Sequence, residues 1–370
     1  MTLAEILGWV RRALVGAVAV ALVLGTATPA RADRIRDQQW YWGPLKVAQA
    51  QKVSKGAGII VGLLDTGADG THQDLRGAVL PGRQVVENRP AGTDFEGHGT
   101  GMAGVIAGRG HGDGAGVLGI APAAKIMPIQ PINDTYFAAQ GIRWAVQHGA
   151  KVINLAFATH ASESLQAAVR EAVAADVVLV GSAGNDGDTD NELEYPGAYP
   201  EVLTVGAVDR KNKIAKISNH GKQVDIVAPG VDIPGPAPDD KYVLGTGTSG
   251  ATAIVSGAAA LIRAKYPDLS AAEVVERLTS TAIDRGAKGR DDYYGIGQLD
   301  LLAALTVAQP EASSAPAVPD APAALPRAAP TDDSDGGIPP LVLVAAGLVL
   351  LLGALLAVVL LLARSRRSAG

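Results

Sequence analysis

The sequence contains no cysteine. Disulfides, thiolate metal sites and cysteine nucleophiles are therefore excluded, and any part of the chain that folds outside the cytoplasm must be held by its core alone. Charge is sparse. Asp, Glu, Lys and Arg make up 19 % of residues against 48 % hydrophobic, a balance that points to membrane segments beside a globular part. The formal net charge is −5, so the basic surface of a nucleic-acid binder is missing and no nucleic-acid partner is expected. No internal repeat is apparent, and 370 residues suffice for one large or two ordinary domains.

The two ends read as targeting devices. Arg11 and Arg12 precede ALVGAVAVALVLG, and Ala30 and Ala32 frame a small-x-small cleavage site. Residues 1–32 are thus expected to be a secretory signal peptide. The apolar run is short for a span, although an uncleaved anchor is the other reading. Residues 33–55 form an N-terminal extension ahead of a globular domain at 56–307. Residues 308–340 are rich in Pro, Ala and small polar side chains and read as an extended linker. The run LVLVAAGLVLLLGALLAVVLLLA, residues 341–363, carries no charge. At about 1.5 Å per residue it crosses a hydrocarbon core of about 30 Å, a buried soluble helix being the other reading. Arg364, Arg366 and Arg367 mark residues 364–370 as a cytoplasmic tail. The expectation is one C-terminal transmembrane helix in the lipid of the cell membrane, with the globular domain extracytoplasmic.

Between the ends, apolar runs alternate with alanine-rich stretches. IIVGLLD (59–65), KIMPI (125–129), KVINLAF (151–157), VVLVGSA (177–183), VLTVGAV (202–208) and VDIVA (224–228) predict strands apolar on both faces. Helices are expected over 99–108, 138–148, 163–175, 252–265 and 271–281, the last with a capping box from Ser270 to Glu273. Such alternation predicts an α/β fold with a mostly parallel sheet and helices on both faces. Ligands of such sheets sit outside the carboxyl ends of the strands.

Four segments fall at such places. In LLDTGAD, Asp65 closes an apolar strand, where a carboxylate is poorly solvated and wants a partner such as a histidine N–H. In FEGHGTGMAG, His98 stands between glycines and opens a helix; the other histidines, His72, His111, His148, His160 and His220, lack that setting. In VVLVGSAGNDGD, Asn185 follows a buried strand within a glycine-rich turn. In GTGTSGATAIVSG, Ser249 begins a helix, where free backbone N–H groups favour developing negative charge. Each has a plainer reading: turn aspartate, structural histidine, turn asparagine, helix cap. Together they supply a nucleophile, a base, an acid to orient the base, and a donor for an oxyanion.

LLDTGAD, GHGTGMAG, SAGNDG and GTSGATAIVSG resemble the Asp, His, Asn and Ser signatures of subtilisin-like serine proteases, in that family's order. GIAPAAKIMPI, VINLA, PGAYPEVLTVGAV and VDIVAPG extend the likeness over about residues 56–305. It implies a subtilisin-like three-layer α/β fold. It also implies catalytic Asp65, His98 and Ser249, with Asn185 in the oxyanion hole. The leader, the IRDQQWYW segment, the Pro/Ala linker and the C-terminal apolar run further resemble mycosins, membrane-anchored members associated with type VII secretion. Too few residues separate Ala32 from the first strand for the folding prodomain of secreted subtilisins.

The likeness implies secreted or envelope proteins as substrates and membrane components of a type VII secretion system as partners. Two other roles share these motifs: a structural component of a secretion complex, and a signalling protease that cuts membrane-protein ectodomains. No cofactor is expected. Calcium is common in the family, but the acidic stretch Asp188, Asp190, Glu192 and Glu194 reads first as a solvated turn. Three departures from the family pattern stand out. Gly250 and Ala253 replace a bulky residue and a proline of the serine motif; Ala156-Phe157-Ala158 replace the Ser-x-Gly that pairs with substrate; and the chain cannot form the disulfides that many mycosins carry.

Overall fold

The computed structural model describes residues 34–91, 93–94, 96–130 and 134–308. The expected signal peptide, linker, transmembrane helix and tail lie outside these residues. Among the described residues no helix is long and apolar enough to cross a membrane.

An eight-stranded sheet is the middle layer. Its strands are β1 (Ile60–Leu64), β2 (Arg83–Gln84), β3 (Arg89–Pro90), β6 (Lys125–Gln130), β7 (Val152–Leu155), β8 (Val178–Ser182), β9 (Leu203–Val208) and β10 (Ile226–Pro229). They lie in the order β10-β9-β8-β7-β1-β6-β2-β3. Every pairing is parallel except β2 with β3. Two hairpins stand outside it, β4 (Arg109–His111) with β5 (Ala115–Leu118), and β11 (Ile233–Ala237) with β12 (Lys241–Gly245).

The strands are apolar on both faces because each face is covered. Successive side chains point to opposite sides. Leu63, Val152 and Val178 enter one core cluster, while Leu64, Ile153 and Leu179 enter the other. Over the first face lie α3 (His98–Ala107) and α6 (Thr248–Lys265); over the second lie α4 (Thr135–Gln147) and α5 (Glu163–Ala174). α6 is buried on all sides from Gly250 to Arg263, which suits its alanine- and glycine-rich sequence. α7 (Ala271–Ser280) begins with the expected Ser270–Glu273 capping box, and α8 (Leu301–Thr306) follows.

The N-terminal extension belongs to the core. It forms α1 (Arg34–Gln38), a 3-10 turn (Trp40–Trp42) and α2 (Val47–Val53), and buries Tyr41, Leu45, Val47 and Ala50. Gln39 pairs with the backbone of Leu118 through both amide atoms, at 2.9 and 3.0 Å. Trp40 Nε1 donates to Val231 O at 3.0 Å, and Gln51 Nε2 to Gly119 O at 2.8 Å. These bonds fasten the segment beside the β4–β5 hairpin and the strand-entry loop of β11.

Strand order reverses at β1, which has β7 on one side and β6 on the other. The crevice expected at such a point lies at the carboxyl edge. Asp65 directly follows β1, and Asn185 lies in the loop after β8.

Candidate active site

Asp65 is held before any substrate arrives. Its side chain is 2 % exposed. The Thr66 N–H donates to Oδ1 at 2.7 Å, and His98 Nδ1 lies 2.8 Å from Oδ1 and 2.9 Å from Oδ2. The carboxylate therefore fixes Nδ1 as the protonated nitrogen and leaves Nε2 as the acceptor.

His98 opens α3 because its neighbours allow it to. Gly97, just before the helix, adopts φ 87°, a left-handed conformation that suits glycine. A Cβ on Gly99 would fall 2.0 Å from Gly67 O and 3.1 Å from Asp65 Cβ, so only glycine lets the helix start touch the β1 loop. Asp94, fully buried, anchors the same turn. Its Oδ1 accepts from Gly97 N–H at 2.8 Å, and its Oδ2 accepts the Thr100 N–H at 2.8 Å and hydroxyl at 2.7 Å. Burial alone would raise the Asp94 pKa; these bonds outweigh it and hold the group below the ordinary value.

The His98 side chain is 41 % exposed. Its burial lowers the pKa, but the hydrogen bond and charge of Asp65, with Asp94 and Glu96, outweigh that and raise it above 6.5.

Ser249 lies in the first turn of α6, which begins at Thr248 rather than at the serine or at 252. It is not the cap. Asn185 does the capping: its Oδ1 accepts from the Thr248 N–H at 2.8 Å and hydroxyl at 3.1 Å. That contact assigns the amide, since Oδ1 must face the donor N–H and Nδ2 is left free toward the cleft. Ser249 Oγ is 3.4 Å from Ala156 O. His98, Asn185 and Ser249 line one cavity, although no hydrogen bond joins Ser249 to His98 in this state. Apo sites often tighten such contacts only on binding substrate.

The departures read differently in three dimensions. Ala253 is fully buried within α6, whose start is set by Asn185, so no proline is needed there. Phe157 packs against the core beneath α4 and α5. Gly250 lines that cavity.

A carboxyl pair, Glu194 with Asp186, was not foreseen as such. Burial, then the hydrogen bond and charge of Asp186, push Glu194 up to about 7. The Asn185 N–H donates to Glu194 and opposes the shift. Asp94 and Thr66 were also missed. Asp94 had a signal in sequence, an aspartate placed to cap the first turn of a helix in TDFEGHG. Among the described residues no group of three or more His, Cys, Asp or Glu is arranged to hold a metal ion.

Residues 56–297 match the model of the Subtilase family, and the chain belongs to that family: it is a serine endopeptidase of the subtilisin type. It is 40 % identical to Subtilisin DY of Bacillus licheniformis over 258 residues, 68 % of this chain and 92 % of that one. Against Subtilisin Savinase of Lederbergia lenta it is 35 % identical over 272 residues, 71 % of this chain and 97 % of the other. The crystal structure of MycP1 with the N-terminal propeptide removed superposes with a TM-score of 0.67 at 30 % identity. That match covers 74 % of this chain and 98 % of MycP1.

Proposed function

We propose that Asp65, His98 and Ser249 form the catalytic triad and that Asn185 stabilises the oxyanion. Ser249 Oγ attacks the peptide carbonyl carbon while His98 Nε2 takes its proton. The oxyanion receives hydrogen bonds from Asn185 Nδ2 and the Ser249 N–H at the positive end of α6. His98 then passes the proton to the leaving amine, and the acyl-enzyme is hydrolysed by the reverse sequence with water. Asp65 holds the imidazole in the required tautomer throughout. The observation that carries this reading is the double contact of His98 Nδ1 with Asp65 on a cleft that Ser249 also lines.

The finer reading is a mycosin-type protease: anchored in the cell membrane by residues 341–363, with its catalytic domain extracytoplasmic, and associated with type VII secretion. The likeness to MycP1 and the uncharged C-terminal run with its flanking arginines support it. Its substrates are then secreted or envelope proteins. A fluorophosphonate should label the full chain purified in detergent, and labelling should vanish in Ser249→Ala; an unlabelled folded enzyme would reject the triad. Co-purification with secretion-membrane components tests the association, and envelope proteins that keep a fragment when Ser249 is replaced are the substrates.

A further inference from the structure

Beside the proposed nucleophile is a cavity of about 220 Å³. Its apolar walls are Met102 and Val105 of α3, Ile233 of β11 and Val243 of β12. No Asp, Glu, Lys or Arg lines it. Five glycines also line it, Gly101, Gly235, Gly245, Gly247 and Gly250, and three of these, Gly101, Gly245 and Gly250, bear on its size.

Neither backbone nor crowding demands glycine at two of them. None of the three has positive φ. A Cβ on Gly101 would lie 3.7 Å from Pro236 O, and one on Gly245 would lie 3.8 Å from Ile233 O, both ordinary contacts. On Gly250 it would meet only the Ile233 side chain, at 3.2 Å. The nearby Gly104 is different, because a Cβ there would lie 2.1 Å from Pro236 Cδ. What the three glycines leave is room.

The chemistry says which part of a substrate enters that room. With the carbonyl carbon at Ser249 Oγ and its oxygen at Asn185 Nδ2, the leaving nitrogen must come within reach of His98. The chain beyond that nitrogen then passes over the first turns of α3, where Met102 and Val105 form the wall. Ala156, whose carbonyl flanks Ser249, is not part of this cavity, so the acyl side lies elsewhere.

We propose that this cavity receives the side chain of the residue just after the cut bond and selects a large apolar one. The assignment rests on the roles given above to Ser249, His98 and Asn185. An apolar cavity of about 150 Å³ holds a benzene ring, so this one takes a leucine, methionine or phenylalanine side chain. Preference for such residues over glycine should reach about tenfold or more in kcat/KM, the scale of methylene-sized differences in an apolar pocket.

The test is digestion of a randomised peptide mixture by the full-length enzyme in detergent, with the new N-terminal residue read by mass spectrometry. Enrichment of Leu, Met and Phe at that residue supports the proposal; a flat profile, or one favouring small or charged residues, overturns it. Gly245→Tyr places a ring in the cavity and should abolish the enrichment, with Gly245→Leu as a milder second variant. Enrichment retained in a variant that still labels with fluorophosphonate also overturns the proposal. The label separates the two layers. Labelled enzyme with a flat profile removes the pocket alone, whereas enzyme that neither labels nor cuts removes the catalytic assignment and the pocket with it.

Discussion

The Gly99 N–H donates to Thr66 Oγ1 at 3.0 Å. With the bond from the Asp69 N–H to Thr100 Oγ1 at 3.0 Å, it ties the loop after β1 to the first turn of α3 and helps to hold the acid at 65 against the imidazole at 98. Thr66→Val keeps the shape and removes the acceptor. It should cost about 1–3 kcal/mol in urea unfolding through an unsatisfied N–H, and lower kcat as well. Thr66→Ser restores both if the hydroxyl is responsible.

Activity should depend on pH through His98. Its pKa is raised above 6.5, and in the proposed mechanism it must be neutral to accept the serine proton, so kcat/KM should fall as pH drops through a value above 6.5. Asp65→Asn removes the charge that raises the pKa. The midpoint of the residual activity should move to lower pH, and kcat should drop by about 10⁴-fold. A pH–rate profile of both enzymes decides it.

Asn185 serves two partners with two atoms, which makes its roles separable. Asn185→Asp keeps an oxygen for Thr248 and loses the free N–H donor. Its thermal midpoint should stay near that of the parent, while kcat falls by about 10²–10³-fold, the usual effect of losing one oxyanion donor. Asn185→Ala should lose the same activity and the cap of α6 as well, measured by kinetics beside thermal unfolding.

Glu194 gives a stability signal of opposite sign to that of Asp94. Its carboxyl binds a proton more tightly when folded, with the pKa raised from 4.5 to about 7. Within that interval the folded state holds the extra proton, so its contribution is fully present below 4.5 and is lost as pH rises through 7. Thermal unfolding of Ser249→Ala, which lacks the proposed nucleophile, should show this decline, and adding Glu194→Gln should remove it. Asp94, whose pKa is lowered from 3.8, acts in a more acidic window, because its stabilisation is lost as pH falls below that value.

The N-terminal extension should be as costly to damage as the core. Tyr41 is fully buried, and its hydroxyl accepts from Gln39 Nε2 at 2.7 Å. Tyr41→Ala should destabilise by about 3–5 kcal/mol, as aromatic truncations in cores do. Tyr41→Phe should cost about 1 kcal/mol, the net worth of one hydrogen bond. Urea midpoints of the two variants check both values.

The parallel sheet was legible because its strands carry a local signal. Val178 and Leu179 serve opposite cores, so the whole run is apolar and stands out. The residues 65, 98, 185 and 249 stood out as candidates because each sits where strand gives way to loop or loop to helix. The β11–β12 hairpin was missed: β11 reads IPGPA, and proline and glycine hide a strand that lies outside the main sheet. The packing of residues 34–53 was also invisible, since Trp40 finds its partner at Val231, far along the chain. The start of α6 was misjudged because its cap comes from Asn185, a residue on a different loop.

Gly99 has a consequence for inheritance. With a neighbouring carbonyl 2.0 Å from where any side chain would begin, the site tolerates no coding change, although it holds no reactive group. A mutation of that codon that alters the amino acid should thus behave as a loss-of-function allele. Drift around the cleft should then be channelled elsewhere, into positions such as 101 and 245, where an added Cβ would meet only ordinary contacts.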